Sequence, residues 1–380
     1  MTPPGTATKA RPRVAFVIHD LDRNLGQGRY ALELLARLHP RYEFHVFANR
    51  FAEPPPGDAR PHRVAAWRRN AVTTIWSFIG PAERAVRAGR FDLVHAQGLT
   101  CWGCDLITGH MCNAAKYARL RPPRMRQRLF PRLVIPIERA FFRQRRARHL
   151  IAISAVFARE IREWYGWNRG LTVIHHGTDV ARFRPPAGAE EKAACRRVFG
   201  LDASRWNWLF MGEALKGLRE AVAQLPHFPP THLLVVSRSD LAPYREQAAR
   251  LGVAGRITFF GPHDRPEEAF RAADVFVYPS GHDPFGLVVT EAMATGLPVI
   301  AGRDTGAAEL IADGRNGLLC QPEDAAGLRA SLERLAASPA EAARLGGAAR
   351  ATLEAHTWDH CAAATAAVYD QVLRDLRRTP

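Results

Sequence analysis

Two carboxylates, Asp283 and Glu291, lie eight positions apart and are the residues whose type and spacing best permit chemistry. Leu287, Val288 and Glu291 recur at helical spacing, which predicts a helix beginning near residues 284–286, with Asp283 in the loop before it. A helix start has free N–H groups and the positive end of the helix dipole, which favour anions. Acids beside such a start suit a ligand with both hydroxyl groups and phosphate, such as a nucleotide sugar.

The elements that must position these acids follow from the apolar pattern around them. Residues 275–278 form a short apolar run rich in β-branched and aromatic side chains, as expected of a buried parallel strand. Residues 298–300 begin a second strand after the helix. In such strand, loop, helix, strand units, ligands bind beyond the carboxyl ends of the strands. Strands and helices also alternate through the first half of the chain, from a first strand at residues 14–18.

The pattern around the acids also resembles a known family. Asp283 precedes Pro-Phe-Gly, and Glu291 begins Glu-Ala-Met-Ala-x-Gly-x-Pro-Val-Ile. This resembles the retaining glycosyltransferases of family 4, with similarity over nearly the whole chain. The resemblance implies an α/β protein of the GT-B fold, in which two Rossmann-like, doubly wound parallel-sheet domains face a cleft. It implies an N-terminal acceptor domain (1–185), a C-terminal donor domain (186–357) and a final helix (358–380) that crosses back to the first domain.

The resemblance also implies roles for the residues of this stretch. Glu291 would bind the ribose of a nucleotide-sugar donor, and Asp283 would bind hydroxyl groups of the transferred sugar. The backbone N–H groups of Phe285, Gly286 and Leu287, together with the cation Lys216, would stabilise charge on the departing diphosphate.

Other candidate site residues lie elsewhere in the chain. Gly26 and Gly28 lie where the first helix starts; a glycine pair there permits close approach of a phosphate, and a flexible turn is the alternative. Pro262 matches a position at which relatives contact the base. His110 ends a short strand, where relatives approach the sugar, although a lone histidine is more often structural.

One position departs from the family pattern. Relatives commonly place an arginine after the glycine that corresponds to Gly212, and a Lys-Gly pair a few residues later. This chain has Glu213 at the first position and Lys216 at the second. Arg219 and Arg238 are candidates for the missing diphosphate-binding cation.

Net charge and hydrophobicity indicate which partners and which cellular location to expect. The chain of 380 residues has a formal net charge of +16 and no apolar run long enough for a membrane-spanning helix. Its first residues lack the apolar segment of a signal peptide, so we expect a cytoplasmic protein. The positive charge predicts an anionic partner, either an acidic membrane surface, a phosphorylated acceptor or nucleic acid.

The charge is densest between Arg119 and Arg148, where eleven arginines accompany a single acid, Glu138. Phenylalanine, leucine, isoleucine and valine are interleaved with them, a mixture typical of a helix on an anionic membrane surface. A helix packed on its own domain with solvated arginines is the alternative. We expect this stretch to contact a membrane, at the inner face of the cell membrane, or a lipid-linked acceptor. We expect no nucleic-acid partner, because no nucleic-acid module is recognisable.

A metal site has weak support. Cys101, Cys104, His110 and Cys112 form a conceivable zinc site, but their spacing is loose for a zinc module, and reduced, buried thiols are the preferred interpretation. The donor half has no Asp-x-Asp pair for Mg²⁺. We therefore expect no metal and no cofactor.

These features predict a retaining hexosyltransferase that uses a nucleoside diphosphate sugar, with UDP as the expected nucleotide. The expected acceptor is a hydroxyl group of a glycan or a lipid-linked envelope saccharide such as the lipopolysaccharide core, because the arginine-rich stretch and the short Lys216 loop loosely resemble lipopolysaccharide-core glucosyltransferases. A catalytically impaired sugar-nucleotide-binding scaffold and a phosphorylase or epimerase on the same fold are the alternatives.

Overall fold

The computed structural model describes residues 10–69, 71–119 and 129–378. A parallel sheet of seven strands occupies the N-terminal part, in the spatial order β5-β3-β1-β6-β7-β8-β9. These strands are β1 (Arg13–Val17), β3 (Glu43–Ala48), β5 (Arg60–Arg63), β6 (Leu93–Gln97), β7 (Leu106–Gly109), β8 (His149–Ala152) and β9 (Gly170–Val173), while β2 (Asp20–Leu21) and β4 (Arg50–Phe51) pair separately. The helices that cover this sheet are α1 (Gly26–Leu38), α2 (Ala71–Ala88), α3 (Asn113–Arg119), α4 (Leu129–Arg143) and α5 (Ala155–Tyr165).

A second parallel sheet follows, with six strands in the order β12-β11-β10-β13-β14-β15. The strands are β10 (Trp206–Met211), β11 (Thr231–Val236), β12 (Ile257–Phe260), β13 (Val275–Tyr278), β14 (Val299–Gly302) and β15 (Leu318–Cys320). Its helices are α6 (Ala189–Val198), α7 (Leu218–Gln224), α8 (Ala242–Arg250), α9 (Pro266–Ala272), α10 (Leu287–Ala294), α11 (Ala325–Ala337) and α12 (Pro339–Leu353). The expected fold of two doubly wound parallel-sheet domains is confirmed. The predicted boundary at residues 185 and 186 falls between β9 and α6.

Two interior strands, β1 and β13, consist almost entirely of buried apolar residues. All four residues of β13 are buried, and so are residues 14–17 of β1. Helices cover both faces of such sheets, so neither face can be polar. This explains why these strands read as continuous apolar runs rather than as alternating patterns.

The last helix, α13 (Trp358–Arg378), packs on the first sheet rather than on the second. Trp358 and Tyr369 lie in the core formed with β1 and α1. The Tyr369 hydroxyl lies 2.7 Å from Nδ1 of His95, a buried residue of β6. The last described helix thus returns to the domain that contains β1.

The two domains also meet through the start of α5. Ser154 caps this helix by accepting a hydrogen bond from the N–H of Phe157, and its hydroxyl donates to the Pro284 carbonyl of the other domain at 2.6 Å. Glu309, also from the other domain, accepts hydrogen bonds from the N–H groups of Ala155 and Val156. Groups that a helix start leaves without partners are therefore satisfied across the domain interface.

Candidate active site

The loop between β13 and α10 carries Asp283 and depends on one glycine. Gly286 has φ 87°, in the left-handed region, and a Cβ atom there would lie 2.7 Å from the Thr305 side chain. Both facts require glycine, which has no side chain and adopts positive φ without strain. Helix α10 begins at Leu287, so Asp283 lies in the preceding loop and Glu291 in the helix, as the sequence predicts.

Asp283 is buried and has three polar partners. Its Oδ2 lies 2.9 Å from Nζ of Lys216 and accepts a 2.8 Å hydrogen bond from the Tyr278 hydroxyl, while Oδ1 accepts one from the N–H of Phe285 at 3.2 Å. Burial raises the pKa of Asp283, but Lys216 and these hydrogen bonds outweigh burial and leave the pKa below its usual value. The carboxylate is therefore charged at neutral pH.

Lys216 reaches Asp283 from the loop after β10. The following residue, Gly217, has φ 104°, and a Cβ atom there would clash with the backbone of Pro279. This close approach brings the loop against the end of β13. Burial lowers the pKa of Lys216, but Asp283 raises it by more, so the amine keeps its proton.

Glu291 holds a cation from the opposite domain. Its Oε1 forms a buried ion pair with Nη1 of Arg29, from the first turn of α1. The side chain of Glu291 is 5% exposed and that of Arg29 is 22% exposed. Burial raises the pKa of Glu291, and Arg29 offsets this effect only in part.

A cleft of about 600 Å³ lies between the domains beside this ion pair. The predicted site residues that line it are Gly26, Pro262, Leu287 and Glu291. Arg238 also lines the cleft, whereas Arg219 does not. A cleft of this size, with apolar walls and a few charged groups, is of the kind that holds a nucleotide-sized ligand.

Two helix starts converge on the cleft. A Cβ atom on Gly26, at the start of α1, would lie 3.6 Å from the side chain of Leu287, at the start of α10. Each start presents N–H groups without helical partners, which favour an anion between them. Gly28 has another role, because a Cβ atom there would lie 2.1 Å from the Asp22 carbonyl; it permits close packing and does not line the cleft.

The other predicted residues lie beside the cleft rather than in its lining: Asp283, Lys216, Phe285, Gly286 and His110. His110 packs against Tyr30 and stacks on His176, and its Nε2 lies 2.9 Å from Oε1 of Gln97. Burial lowers the pKa of His110 to about 3, so its imidazole is neutral. The His176 ring in turn contacts Phe285, which connects His110 to the Asp283 loop.

Arg29 and Tyr278 were not among the residues that the sequence identified. The sequence position of Arg29 nevertheless indicates a special role. A cation in the first turn of a helix is unfavourable beside the helix dipole, which implies a specific partner. Tyr278 is the last residue of β13, directly before the loop of Asp283. A hydroxyl at the carboxyl end of a parallel strand lies where ligands bind.

Glu213, at the position where relatives have arginine, lines the cleft. One of its carboxylate oxygens lies 3.8 Å from Nζ of Lys116, a residue of α3 in the other domain. The position after Gly212 therefore supplies negative rather than positive charge to the cleft.

The described residues contain no group of three or more histidine, cysteine, aspartate or glutamate side chains arranged to hold a metal. All six cysteines are buried and unpaired, as the preferred interpretation expects, and burial raises the pKa of Cys112 to about 12. The first domain has an Asp-x-Asp pair, Asp20 and Asp22, in which Asp20 is paired with Arg68 at 2.6 Å.

Within the described ranges, no helix combines the length and apolarity needed to cross a membrane.

The arginine-rich stretch is described only in part, since Arg121, Arg124, Arg126 and Arg128 lie outside the described residues. The α4 side chains Val134, Phe141 and Phe142 are buried in the domain core. Its exposed side carries Arg132, Leu133, Arg139 and Arg143. Three of the apolar residues interleaved with arginine are therefore core residues, whereas Leu133 is exposed beside the arginines.

Two family models match the chain. The model for Glycosyltransferase Family 4 matches residues 25–182, and the model for Glycosyl transferases group 1 matches residues 210–352. The chain is also 35% identical over 325 residues to a D-inositol 3-phosphate glycosyltransferase of Streptomyces avermitilis, an alignment that covers 77% of this chain and 68% of the relative.

Solved structures share the fold over almost the whole chain. WaaG, a glycosyltransferase involved in lipopolysaccharide biosynthesis, has a TM-score of 0.80 and 19% identity, covering 93% of this chain and 99% of WaaG. HepE of Anabaena, crystallised with UDP-glucose, has a TM-score of 0.73 and 17% identity, covering 94% of this chain and all of the HepE chain. With the two-domain fold, the cleft and the acid pair described above, these matches establish that the chain belongs to glycosyltransferase family 4 and is a glycosyltransferase of the GT-B fold.

Proposed function

We propose that the protein transfers a hexose from a nucleoside diphosphate sugar, with UDP as the nucleotide, to an acceptor hydroxyl with retention of anomeric configuration. The observation that carries this proposal is the buried cluster of Asp283, Lys216 and Tyr278 at the start of α10, next to a cleft that also contains Glu291. Charged groups of both signs are thus held beside a nucleotide-sized space.

The donor would lie in the cleft between the two helix starts. Its base would contact the backbone near Pro262, and its ribose hydroxyl groups would bind the carboxylate of Glu291. The sugar would then extend toward Asp283, whose carboxylate is a strong acceptor for sugar hydroxyl groups because it stays charged. His110, as a neutral imidazole, would accept or donate one hydrogen bond to the sugar from the acceptor side.

Transfer breaks the bond between the anomeric carbon and the diphosphate oxygen, and the electron pair leaves with the nucleoside diphosphate. The acceptor oxygen bonds to the same carbon, and its proton passes to the departing phosphate. The protonated Lys216 and the N–H groups of Gly286 and Leu287 would stabilise the charge on the diphosphate, whereas the N–H of Phe285, expected to do the same, already donates to Asp283. Such support replaces a divalent metal in this proposal.

Two classes of acceptor fit the positive charge of the chain. A glycan or a lipid-linked envelope saccharide, such as the lipopolysaccharide core, is the acceptor that the sequence favours. A small phosphorylated polyol is the second class, supported by the relative named for D-inositol 3-phosphate. Lys116 and Arg119 lie on α3, at the acceptor side of the domain interface, and are cations that such acceptors require.

Peripheral contact with an anionic membrane, at its cytoplasmic face, is also part of the proposal. Arg132, Arg139 and Arg143 lie on the exposed side of α4 and would meet lipid phosphates, while Leu133 adds an exposed apolar group. Replacing the three arginines with glutamine should weaken co-sedimentation with vesicles of phosphatidylglycerol. Equal binding to neutral phosphatidylcholine vesicles would contradict the proposal, because arginine attracts only the anionic surface.

Glu213 favours one alternative, a catalytically impaired protein that binds sugar nucleotides, because a carboxylate cannot stabilise the charge on a departing diphosphate at the position where relatives have arginine. The test is a transfer assay with UDP-glucose, UDP-N-acetylglucosamine and other nucleotide sugars, each with a lipid-linked saccharide or with inositol phosphate as acceptor. Turnover with one donor and one acceptor class would support transfer and identify the acceptor. Tight UDP binding without turnover with any acceptor would favour the binding protein.

A further inference from the structure

The cleft contains four arginines, and their partners differ. Arg23 is held by Glu33 and Glu53 of its own domain, and Arg182 is held by Glu267 at 2.9 Å. Arg238 is exposed and donates a 3.3 Å hydrogen bond to the Asn24 carbonyl. Arg29 is the most consequential of the four, because its acid partner is the carboxylate assigned to the donor ribose.

The donor ribose and Arg29 would therefore compete for the carboxylate of Glu291. Among the described residues, Glu291 is the only carboxylate within 4 Å of Arg29. If ribose hydroxyl groups take the carboxylate, a mostly buried guanidinium loses the anion that offsets its desolvation, which is costly. The nearest new anion would be the diphosphate of the same donor molecule.

We propose that Arg29 is a donor-binding residue that exchanges Glu291 for the donor's diphosphate as the ribose occupies Glu291. This inference rests on the proposed function. Arg29 then supplies, from the first domain, the cation that is missing after Gly212, where Glu213 stands. Its place in the first turn of α1 directs the guanidinium at the cleft between the starts of α1 and α10.

The exchange has a specific signature in nucleotide binding. UDP supplies both a ribose for Glu291 and a diphosphate for Arg29, whereas uridine supplies only the ribose and leaves Arg29 without an anion. The unaltered protein should therefore bind UDP much more tightly than uridine. In Arg29→Gln, UDP affinity should fall about tenfold or more, because a charge-assisted hydrogen bond is lost. Uridine affinity should stay the same or rise, because Glu291 no longer has a competing partner.

The experiment is calorimetric titration of UDP and uridine into the full chain and its variants, with thermal unfolding as a check on folding. Arg29→Lys, which keeps the charge, should retain part of the preference for UDP. Arg23→Gln is the matched control, because Arg23 lines the same cleft but is held by two acids of its own domain; its ratio of UDP to uridine affinity should change less than about twofold.

Three outcomes would overturn the inference. A parallel loss of UDP and uridine affinity in Arg29→Gln would assign Arg29 a structural role. Loss of the UDP preference in Arg238→Gln but not in Arg29→Gln would assign the diphosphate to Arg238. Failure of the unaltered protein to bind UDP would overturn both this inference and the proposed donor.

Discussion

Asp283 takes its cation from its own domain, whereas Glu291 takes its cation from the domain across the cleft. Lys216 and Asp283 lie in neighbouring loops at the carboxyl ends of β10 and β13, which are adjacent strands of one sheet. Arg29 and Glu291 are brought together only by the packing of two separate sheets. One pair is therefore a property of the donor domain, and the other is a property of the domain arrangement.

The two pairs also differ in whether the cation outweighs the effect of burial on the pKa of the carboxylate. Lys216, with help from Tyr278, outweighs burial at Asp283 and leaves its pKa below the usual value. Arg29 does not outweigh burial at Glu291, whose pKa stays above the usual value. Glu138 extends the comparison, since it is buried, forms no ion pair with any cation that the structure describes, and has its pKa raised to about 7 by burial. Burial alone thus favours the neutral acid, and the cation decides how far each carboxylate departs from that state.

The largest effect is expected from breaking the pair within the donor domain. Asp283→Asn removes the charge that would bind sugar hydroxyl groups in the proposed complex and leaves Lys216 without this acid, so we expect kcat to fall by about 100-fold or more. UDP affinity should change little, because the nucleotide does not contact this residue in the proposed complex. Steady-state kinetics and calorimetry measure the two quantities, and near-normal kcat would show that Asp283 has no role in transfer.

Glu138, which pairs with no cation among the described residues, should make stability depend on pH. Its folded-state pKa is raised, so its contribution to the free energy of unfolding is fully present below about pH 4.5 and is lost as pH rises through about 7. The loss should amount to about 3 kcal/mol. Glu138→Gln should remove this component, as urea unfolding at about pH 4.5 and about pH 8 would measure. Equal pH dependence in both proteins would mean that another group is responsible.

Breaking the pair between domains should affect donor binding. Glu291→Ala removes the acceptor for the ribose hydroxyl groups and should weaken UDP binding by about 10-fold to 100-fold, which abolishes transfer at ordinary donor concentrations. The fold should survive, because the carboxylate lies at the cleft rather than in the apolar core. Calorimetry and circular dichroism are the measurements, and unaltered UDP affinity would contradict the ribose assignment.

The smallest effect is expected from metal removal. In the proposed complex, Lys216, Arg29 and two helix starts would neutralise the diphosphate, so EDTA should leave kcat and donor affinity unchanged. A transfer assay with EDTA, followed by addition of Mg²⁺ or Mn²⁺, tests this. Activity that disappears in EDTA and returns with either ion would show that these cations do not suffice.

Local pattern predicted the elements around the site with small errors. Residues 275–278 form β13 as predicted, and α10 begins at Leu287, directly after the predicted range of helix starts. The reason is that strand and helix periodicity are local properties of the backbone and of side-chain burial.

The sequence by itself determined the alternation of strands and helices, the spacing of the acids Asp283 and Glu291, and the absence of arginine after Gly212, because these depend on local order in the chain. The two-domain architecture was implied by the family resemblance. Only the tertiary structure decided the partners of the acids. Lys216 lies 67 positions from Asp283, and Arg29 lies 262 positions from Glu291. Such pairs form where separately folded sheets and loops pack together, and no local preference encodes which of many arginines will face a given carboxylate.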